Sequence, residues 1–391
     1  MRRTLVVTAD PAWPPVSGAD LRNWQNASAL AGLGPVTLAS IGPLQVVAPT
    51  PLSRVTVVAL TQAGEKRGPV LPRNATPVEA TIPEVALVRL RSIVSESRHD
   101  TVVIEGIGLF PFIAALRTTA SMLVLDMHNV ESDLAQQKSA SSLVRQAVER
   151  LSGQVQRIRW LELAAARMVD RLWVCSRQDE ARLRDGVGPS VPVWIVPNGV
   201  PRADTLPPFL AAMPPSGGEG PIMLFIGHLN YDPNVVAVRR LVKAILPDIR
   251  RDLPGARLVV AGRRPSARLA RLAASNDFDL VADPADADRL LANAHVAVVP
   301  LTTGGGTRLK VLEAMSRGVP VVATPLAIEG LDLVDRVHAL LADTDRGLAD
   351  CVRQLWADPM LAERLRTAAH RFVMDRFGPL ATQRAVREAI G

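Results

Sequence analysis

The chain has little of several things. Aromatic residues make up 4% of its 391 positions, and Tyr231 is its one tyrosine. It shows no zinc-finger spacing, no aromatic RNP-type strand and no run of clustered basic residues, so nucleic acid is not an expected partner. Cysteine occurs twice, at Cys175 and Cys351, far apart and without metal-ligand spacing. A reducing cytosol is therefore the default, and no bound metal is expected. No apolar stretch approaches the roughly 18 residues of a membrane-spanning helix. The opening MRRTLVVTAD lacks the longer apolar run and small-residue cleavage site of a signal peptide and reads as a first β-strand. Lysine is also scarce, at four (Lys66, Lys138, Lys243, Lys310), so the net charge of +7 is almost all arginine. That excess reflects either the codon bias of a GC-rich genome or a liking for anionic substrates and surfaces.

Apolar residues, by contrast, are 48% of the chain, enough for more than one core. Strand-length runs rich in β-branched residues recur: TLVVTA, PVTLAS, RVTVVAL, TVVIEG, MLVLDM, RLWVCS and VWIVP. Helical patterns lie between them. After the break LPPFLAAMPPSGGEGP the same alternation restarts with IMLFIG, RLVVAG, FDLVAD, HVAVVP and PVVAT. Strands that are apolar throughout and alternate with helices imply parallel sheets covered on both faces. The reading is α/β, with an N-terminal domain over 1–205, a linker over 206–220 and a second domain over 221–375. A C-terminal helix over 376–391, set off near Gly378-Pro379, has the option of packing back on the first domain. Two such domains facing each other leave a cleft at the carboxyl ends of their strands, where open parallel sheets bind ligands.

PLTTGGGTRLKVLEAM most resembles chemistry. HVAVVP fits a buried strand and TRLKVLEAMSRG a helix of about three turns, stopped by Gly318 with Pro320 beyond. Gly304, Gly305 and Gly306 then form a strand-to-helix turn whose free amides and helix dipole suit an anion. Arg308 and Lys310 add full charges in the first turn. Glu313, one turn deeper on the same face as Lys310, suits neutral hydroxyls. A nucleoside diphosphate offers both features. A loose turn beside a surface Lys310–Glu313 pair is the plainer alternative. The stretch is neither a Walker loop nor G-x-G-x-x-G.

GGGTRLKVLEAMSRGVPVVATPLAIEGL resembles the nucleotide-sugar site of family 4 glycosyltransferases, whose GT-B fold sets two Rossmann-like domains face to face. PPVSGADLRNW resembles the family's N-terminal glycine loop and first helix, and LDMHNVESD the loop that carries a His or Asn near the sugar. RWLELAAARMVDRLWVCSRQDEARL is similar to a family segment with Glu162, Asp170, Ser176 and Asp179 at matching places. VWIVPNGV resembles the approach to the interdomain linker. LFIGHLNYDPNVVAVRRLVKAILPDIR resembles the opening of the nucleotide domain. The matches fall in order over nearly the whole chain.

The resemblance implies retaining transfer from a nucleotide-diphosphate sugar with no metal or other cofactor. By it, Arg308 and Lys310 neutralise the leaving diphosphate and His128 sits beside the sugar, which makes these three the catalytic candidates. Glu313 would hold the ribose. Gly18, Gly227, His228, Gly304, Gly305, Gly306 and Thr307 would complete the donor site. Two positions depart from the pattern. Gly305 stands where many members have a second Glu, eight residues before the ribose Glu. His228 and Asn230 lie where others often place an Arg. Family frequency points to UDP. The acceptor, gripped by the N-terminal domain, would be a glycan, a lipid-linked intermediate or a small molecule. Rival expectations are a silent nucleotide-sugar-binding partner of another transferase, and a nucleotide-sugar 2-epimerase, which would need carboxylates facing the sugar ring.

Other residues have competing readings. Asp126 and Glu131 either orient His128 or cap the next helix. Asp283, Asp286 and Asp288 fit a helix start better than a metal site. Asn198 and Gly199 serve as turn or as site. Arg145, Arg150, Arg157 and Arg159 either face an anionic inner membrane surface, placing the protein peripherally there, or are simply solvated.

Overall fold

A computed structural model describes residues 1–15, 17–43, 50–63, 65, 82–118, 120–140, 149, 152–187, 191–201, 220–284 and 286–391. The linker expectation falls mainly on 202–219; those residues, Arg145 and Arg150 lie outside the described residues. The chain divides into two compact units, 1–198 with 382–391, and 199–381.

The first unit is built on strands β1 (Thr4–Thr8), β2 (Val36–Ser40), β3 (Val55–Ala59), β4 (Thr101–Glu105), β5 (Met122–Met127), β6 (Arg171–Val174) and β7 (Val193–Ile195). They pair in parallel in the order β3-β2-β1-β4-β5-β6-β7. Alternate side chains enter two different cores, because a strand points successive residues to opposite faces. Leu5, Val7, Ile104, Leu125 and Val174 meet Leu90, Phe112, Ile113 and Leu161 from helices on one face. Val6, Val103, Val124 and Trp173 meet Trp24, Ala27 and Leu30 of the helix Gly18–Ala31 on the other. Val386, Ala389 and Ile390 of the last helix, Pro379–Ile390, join this second core. Arg171 and Arg2 donate to the carbonyls of Ala389 (2.6 Å) and Ile390 (3.1 Å), cations where a helix end carries partial negative charge.

The second unit holds β8 (Ile222–Ile226), β9 (Arg257–Gly262), β10 (Asp279–Ala282), β11 (Val296–Val299), β12 (Val321–Ala323) and β13 (Leu340–Leu341). They too are parallel, in the order β10-β9-β8-β11-β12-β13. The expected strand runs all appear; β13, two residues long, carries too little pattern to be read in advance. After β8 the chain enters the helix Asp232–Arg240 and widens to a π-turn over Leu241–Ile245. There the Leu246 N–H reaches back to Leu241 O, just before Pro247, which has no N–H to offer. Both units are thus Rossmann-like, and each presents its loops at the carboxyl ends of its strands.

Candidate functional site

In the second unit the glycine turn follows β11. The helix is shorter than expected, Leu309–Ser316, because Gly306 (φ 64°) and Arg308 (φ −82°, ψ 82°) hold the chain out of helical geometry. Gly318, at φ 73°, closes its far end. Thr307 accepts at its carbonyl from Leu309 N at 3.0 Å. Arg308 is buried. It turns back on the loop, donating to Gly306 O and to Gly304 O (3.0 Å), with Glu329 at 3.9 Å.

Lys310, half-buried, points instead toward the end of β8. Its Nζ donates to Asn234 Oδ1 and stands 4.4 Å from the Phe225 ring centroid. Asn234 is fixed in turn by donating to His228 O at 2.9 Å. Gly227 lies against this group, and a Cβ there would come within 2.8 Å of Asn234 Nδ2 and 3.1 Å of Lys310 Nζ. Desolvation, then repulsion from Arg308, pulls the Lys310 pKa down to about 7. Among the described residues no carboxylate pairs with Lys310. Glu313 is half-buried, one turn further along, and His228 is exposed. Sequence reasoning missed Asn234, whose signal was an amide in the first turn of a helix right after a strand, and Glu329, which a quoted motif contained.

Gly227 and Gly262 are both glycine for reasons of space, but of different weight. A Cβ on Gly262 would sit 1.7 Å from Gly227 O, at φ 156°; on Gly227 its nearest neighbours are side-chain rather than backbone atoms, those of Asn234 and Lys310. Gly262→Ala is expected to cost at least about 3 kcal/mol and Gly227→Ala about 1 kcal/mol. Hydrogen exchange over β8 and β9 in the two variants would check the order, and equal losses of protection would refute it.

In the first unit the expected loop histidine, His128, follows β5 and is set in a buried polar network. Arg22, from the helix Gly18–Ala31, forks onto Asp126 (Nε–Oδ2 2.7 Å, Nη2–Oδ1 2.5 Å) and donates to Val196 O (2.9 Å) and Asn198 Oδ1 (3.0 Å). Asn26, one turn after Arg22 on the same face, donates to Asp126 Oδ2 (2.9 Å) and Glu105 Oε1 (3.1 Å). The partner of the imidazole is Glu105, the last residue of β4, 3.1 Å from His128 Nε2. Asp126 is 3.7 Å away and committed to Arg22, while Glu131 accepts from Asn129 Nδ2. Burial opposes ionisation of Asp126, but the Arg22 guanidinium overcomes this and holds its pKa below the usual value. Burial and then the Asp126 charge push Glu105 up to about 7. Burial also raises the thiol of Cys175, whose Sγ lies 3.3 Å from His128 O, to about 12. Glu105, Asp126 and His128 lie close enough together to invite an ion. With both Asp126 oxygens in the fork of Arg22, however, the arrangement is an ion-pair network. Arg22, Asn26 and Glu105 escaped sequence reasoning; the signal was a carboxylate closing the apolar run TVVIE.

Other residues singled out in the sequence have local partners. Asp286 caps the helix Ala287–Ala292, accepting from Asp288 N (2.9 Å) and Arg289 N (3.1 Å), while Asp288 pairs with Arg317 at 3.0 Å. Asp283, at φ 47°, accepts from Arg264 N. Glu162 accepts from Ser132 Oγ at 2.6 Å, Asp170 from Leu123 N at 2.7 Å, and Ser176 and Asp179 bond each other at 2.6 Å. Gly153, left-handed at φ 58°, precedes the helix Gln154–Ala166, on which Arg157 and Arg159 are exposed. Gly18 opens its helix behind a capping box formed by Ser17 and Asp20.

With this geometry in place, comparison with known proteins defines the class. Residues 18–199 match the model of the glycosyl transferase 4-like domain, and residues 220–358 that of glycosyl transferases group 1. The chain belongs to the glycosyltransferase family those two models describe. Solved structures agree on the fold. Sucrose-phosphate synthase from Thermosynechococcus elongatus is similar at TM-score 0.74 and 19% identity, over 100% of this chain and 98% of that one. WaaG, a glycosyltransferase involved in lipopolysaccharide biosynthesis, is similar at TM-score 0.68 and 14% identity, over the whole of both chains. Anabaena HepE, solved with UDP-glucose, is similar at 0.67 and 12%, over 100% and 99%. The fold is GT-B. A comparison with curated proteins finds no match. Among the described residues, no helix is long and apolar enough to cross a membrane.

Proposed function

We propose that this glycosyltransferase moves a sugar from a nucleotide-diphosphate sugar, bound on the unit 199–381, to a glycan, lipid-linked or small-molecule acceptor. The observation that carries the reading is Lys310: a half-buried cation beside Arg308 and a glycine turn, with no carboxylate partner among the described residues. Such a site gains most from an anion, and negative charge grows on a departing diphosphate during transfer. Arg308 and Lys310 would meet that charge directly, so the reaction would need no metal or other cofactor. Glu313 would take the ribose. The amides of Gly304, Gly305 and Gly306, with Gly227, His228 and Thr307, would line the donor, and Gly18 and His128 would serve the sugar. Retention of configuration and a cytoplasmic setting, peripheral to the inner membrane face, complete the proposal. Exposed Arg157, Arg159 and Trp160 (66% exposed) supply the surface for such contact. UDP is the proposed nucleotide, supported by the similar HepE structures solved with UDP and glucose.

Thermal unfolding in the presence of UDP, GDP, dTDP and ADP tests the reading. A ligand at about 100 times its Kd stabilises by roughly 2.7 kcal/mol. One nucleotide, expected to be UDP, should raise the midpoint, and Glu313→Ala should abolish the rise. No response to any nucleotide would overturn the donor site. Hydrolysis of the matching nucleotide sugar without acceptor then separates an enzyme from a silent binder.

A further inference from the structure

The buried network of the first unit does more than support the fold, because it fixes one nitrogen of His128 and leaves the other. Nε2 is 3.1 Å from Glu105 Oε2, and Glu105 is itself held by Asn26. Asn23, oriented to satisfy its neighbours, donates to Glu105 Oε2 (3.1 Å) and Ala19 O (3.1 Å), with its nitrogen 3.0 Å from His128 Nε2. The Asn23 amide has two hydrogens, and when Glu105 and Ala19 take both, Nε2 keeps its own proton for a charge-assisted bond to the ionised carboxylate. Nδ1 has no hydrogen-bond partner among the described residues, and the side chain stays 20% exposed.

We propose that Glu105 is the positioning residue of His128 and decides what its Nδ1 offers a ligand. With Glu105 ionised, the single proton of the pair sits on Nε2 and Nδ1 presents a lone pair. When the pair takes one proton from solvent, Nδ1 becomes an N–H donor, whether the second proton rests on Nε2 or on Glu105. No other bond changes. This deepens the proposed function, in which His128 meets the donor sugar. A sugar hydroxyl can bond either form, whereas a phosphate or ring oxygen can bond only the protonated one.

The other groups around the pair do not compete for its proton. Burial and Asp126 push the Glu105 pKa up to about 7. Arg22 from the first helix is fully engaged by Asp126, Val196 and Asn198 and stays charged. Cys175, at the end of β6, stays a thiol. Asn23, Asn26 and Asn198 do not titrate. Glu105 is therefore the carboxylate that faces the imidazole, at 3.1 Å from Nε2.

Nitrogen-15 NMR of the His128 ring, followed from about pH 5 to about pH 9 in the whole chain, tests this. Wild type should keep a proton on Nε2 at the alkaline end, with Nδ1 gaining one only as the pH falls. Glu105→Gln, of the same shape but unable to ionise, should weaken proton uptake at Nδ1 at least about tenfold. Glu105→Asp should restore a titrating partner at a shifted midpoint, and it carries the test if the Gln variant does not fold. Unchanged titration in whichever variant folds, or an imidazole that shows no preference between its nitrogens at high pH, overturns the proposal. The readout needs no donor. Loss of the Glu313-dependent nucleotide response together with an intact titration would sink the donor site and leave this inference standing, and the converse pattern would do the reverse.

Discussion

Replacing Lys310 by methionine is expected to slow donor turnover by about two to three orders of magnitude, the usual cost of removing one preorganised group that stabilises developing negative charge. Methionine keeps most of the stem against Phe225, so the fold should survive. Removing the ammonium relieves Arg308 of a cationic neighbour and leaves Asn234 Oδ1 without its donor. The same residue predicts a proton signature. Its pKa falls from 10.5 to about 7 in the ligand-free protein. Between those values the unfolded chain holds a proton that the folded chain has lost, so this residue's contribution to stability rises with pH through the window and falls away as pH drops toward 7. A bound diphosphate supplies the opposite charge and draws the proton back. Nucleotide binding should then take up close to one proton at about pH 8 to 9, with affinity falling up to tenfold per pH unit above about 7. Calorimetry in buffers of different ionisation enthalpy reads that uptake, and Lys310→Met should eliminate it. Equal uptake in both proteins, or an unslowed variant, would remove Lys310 from the donor site.

Much of this unit was legible in the sequence for a physical reason. Parallel strands buried on both faces must be apolar throughout, and a backbone that closes around a ligand must shed its side chains. The first rule made β8 to β12 readable, and the second is why Gly304, Gly305 and Gly306 are proposed to line a donor. What stayed hidden was which way the cations turn. Arg308 and Lys310 are two residues apart, yet one folds back on the carbonyls of its own loop and the other crosses to Asn234. Helical spacing predicts neighbours along a helix, but Arg308 lies just outside the helix, and Asn234 is on a different one. The missed part of the first unit has the same cause. Arg22, Glu105 and Asp126 come from three elements, joined only by the order in which the strands lie. Each charge looks like an isolated exception to an apolar or amphipathic pattern until the sheet brings them together.

That network sets the second large expectation. Arg22→Met should destabilise the first unit by about 3 to 5 kcal/mol, because it strands the Asp126 carboxylate in a buried site beside Glu105. Removing the carboxylate as well should recover a large part of the loss. In Arg22→Met/Asp126→Leu neither charge is left without its partner, and apolar groups of similar volume fill the space. Because the chain forms two compact units, a single unfolding free energy is poorly defined, and hydrogen exchange read segment by segment is the better measure. Protection should fall over Gly18–Ala31 and β5 in the single variant and return in the double variant, with Leu309–Ser316 unaffected in both. If the pair contributes chiefly by attraction, the double variant stays as unstable as the single one. If its weight lies in the cost of leaving one buried charge alone, stability returns, and selection has kept Arg22 and Asp126 for the environment they impose on Glu105 and His128.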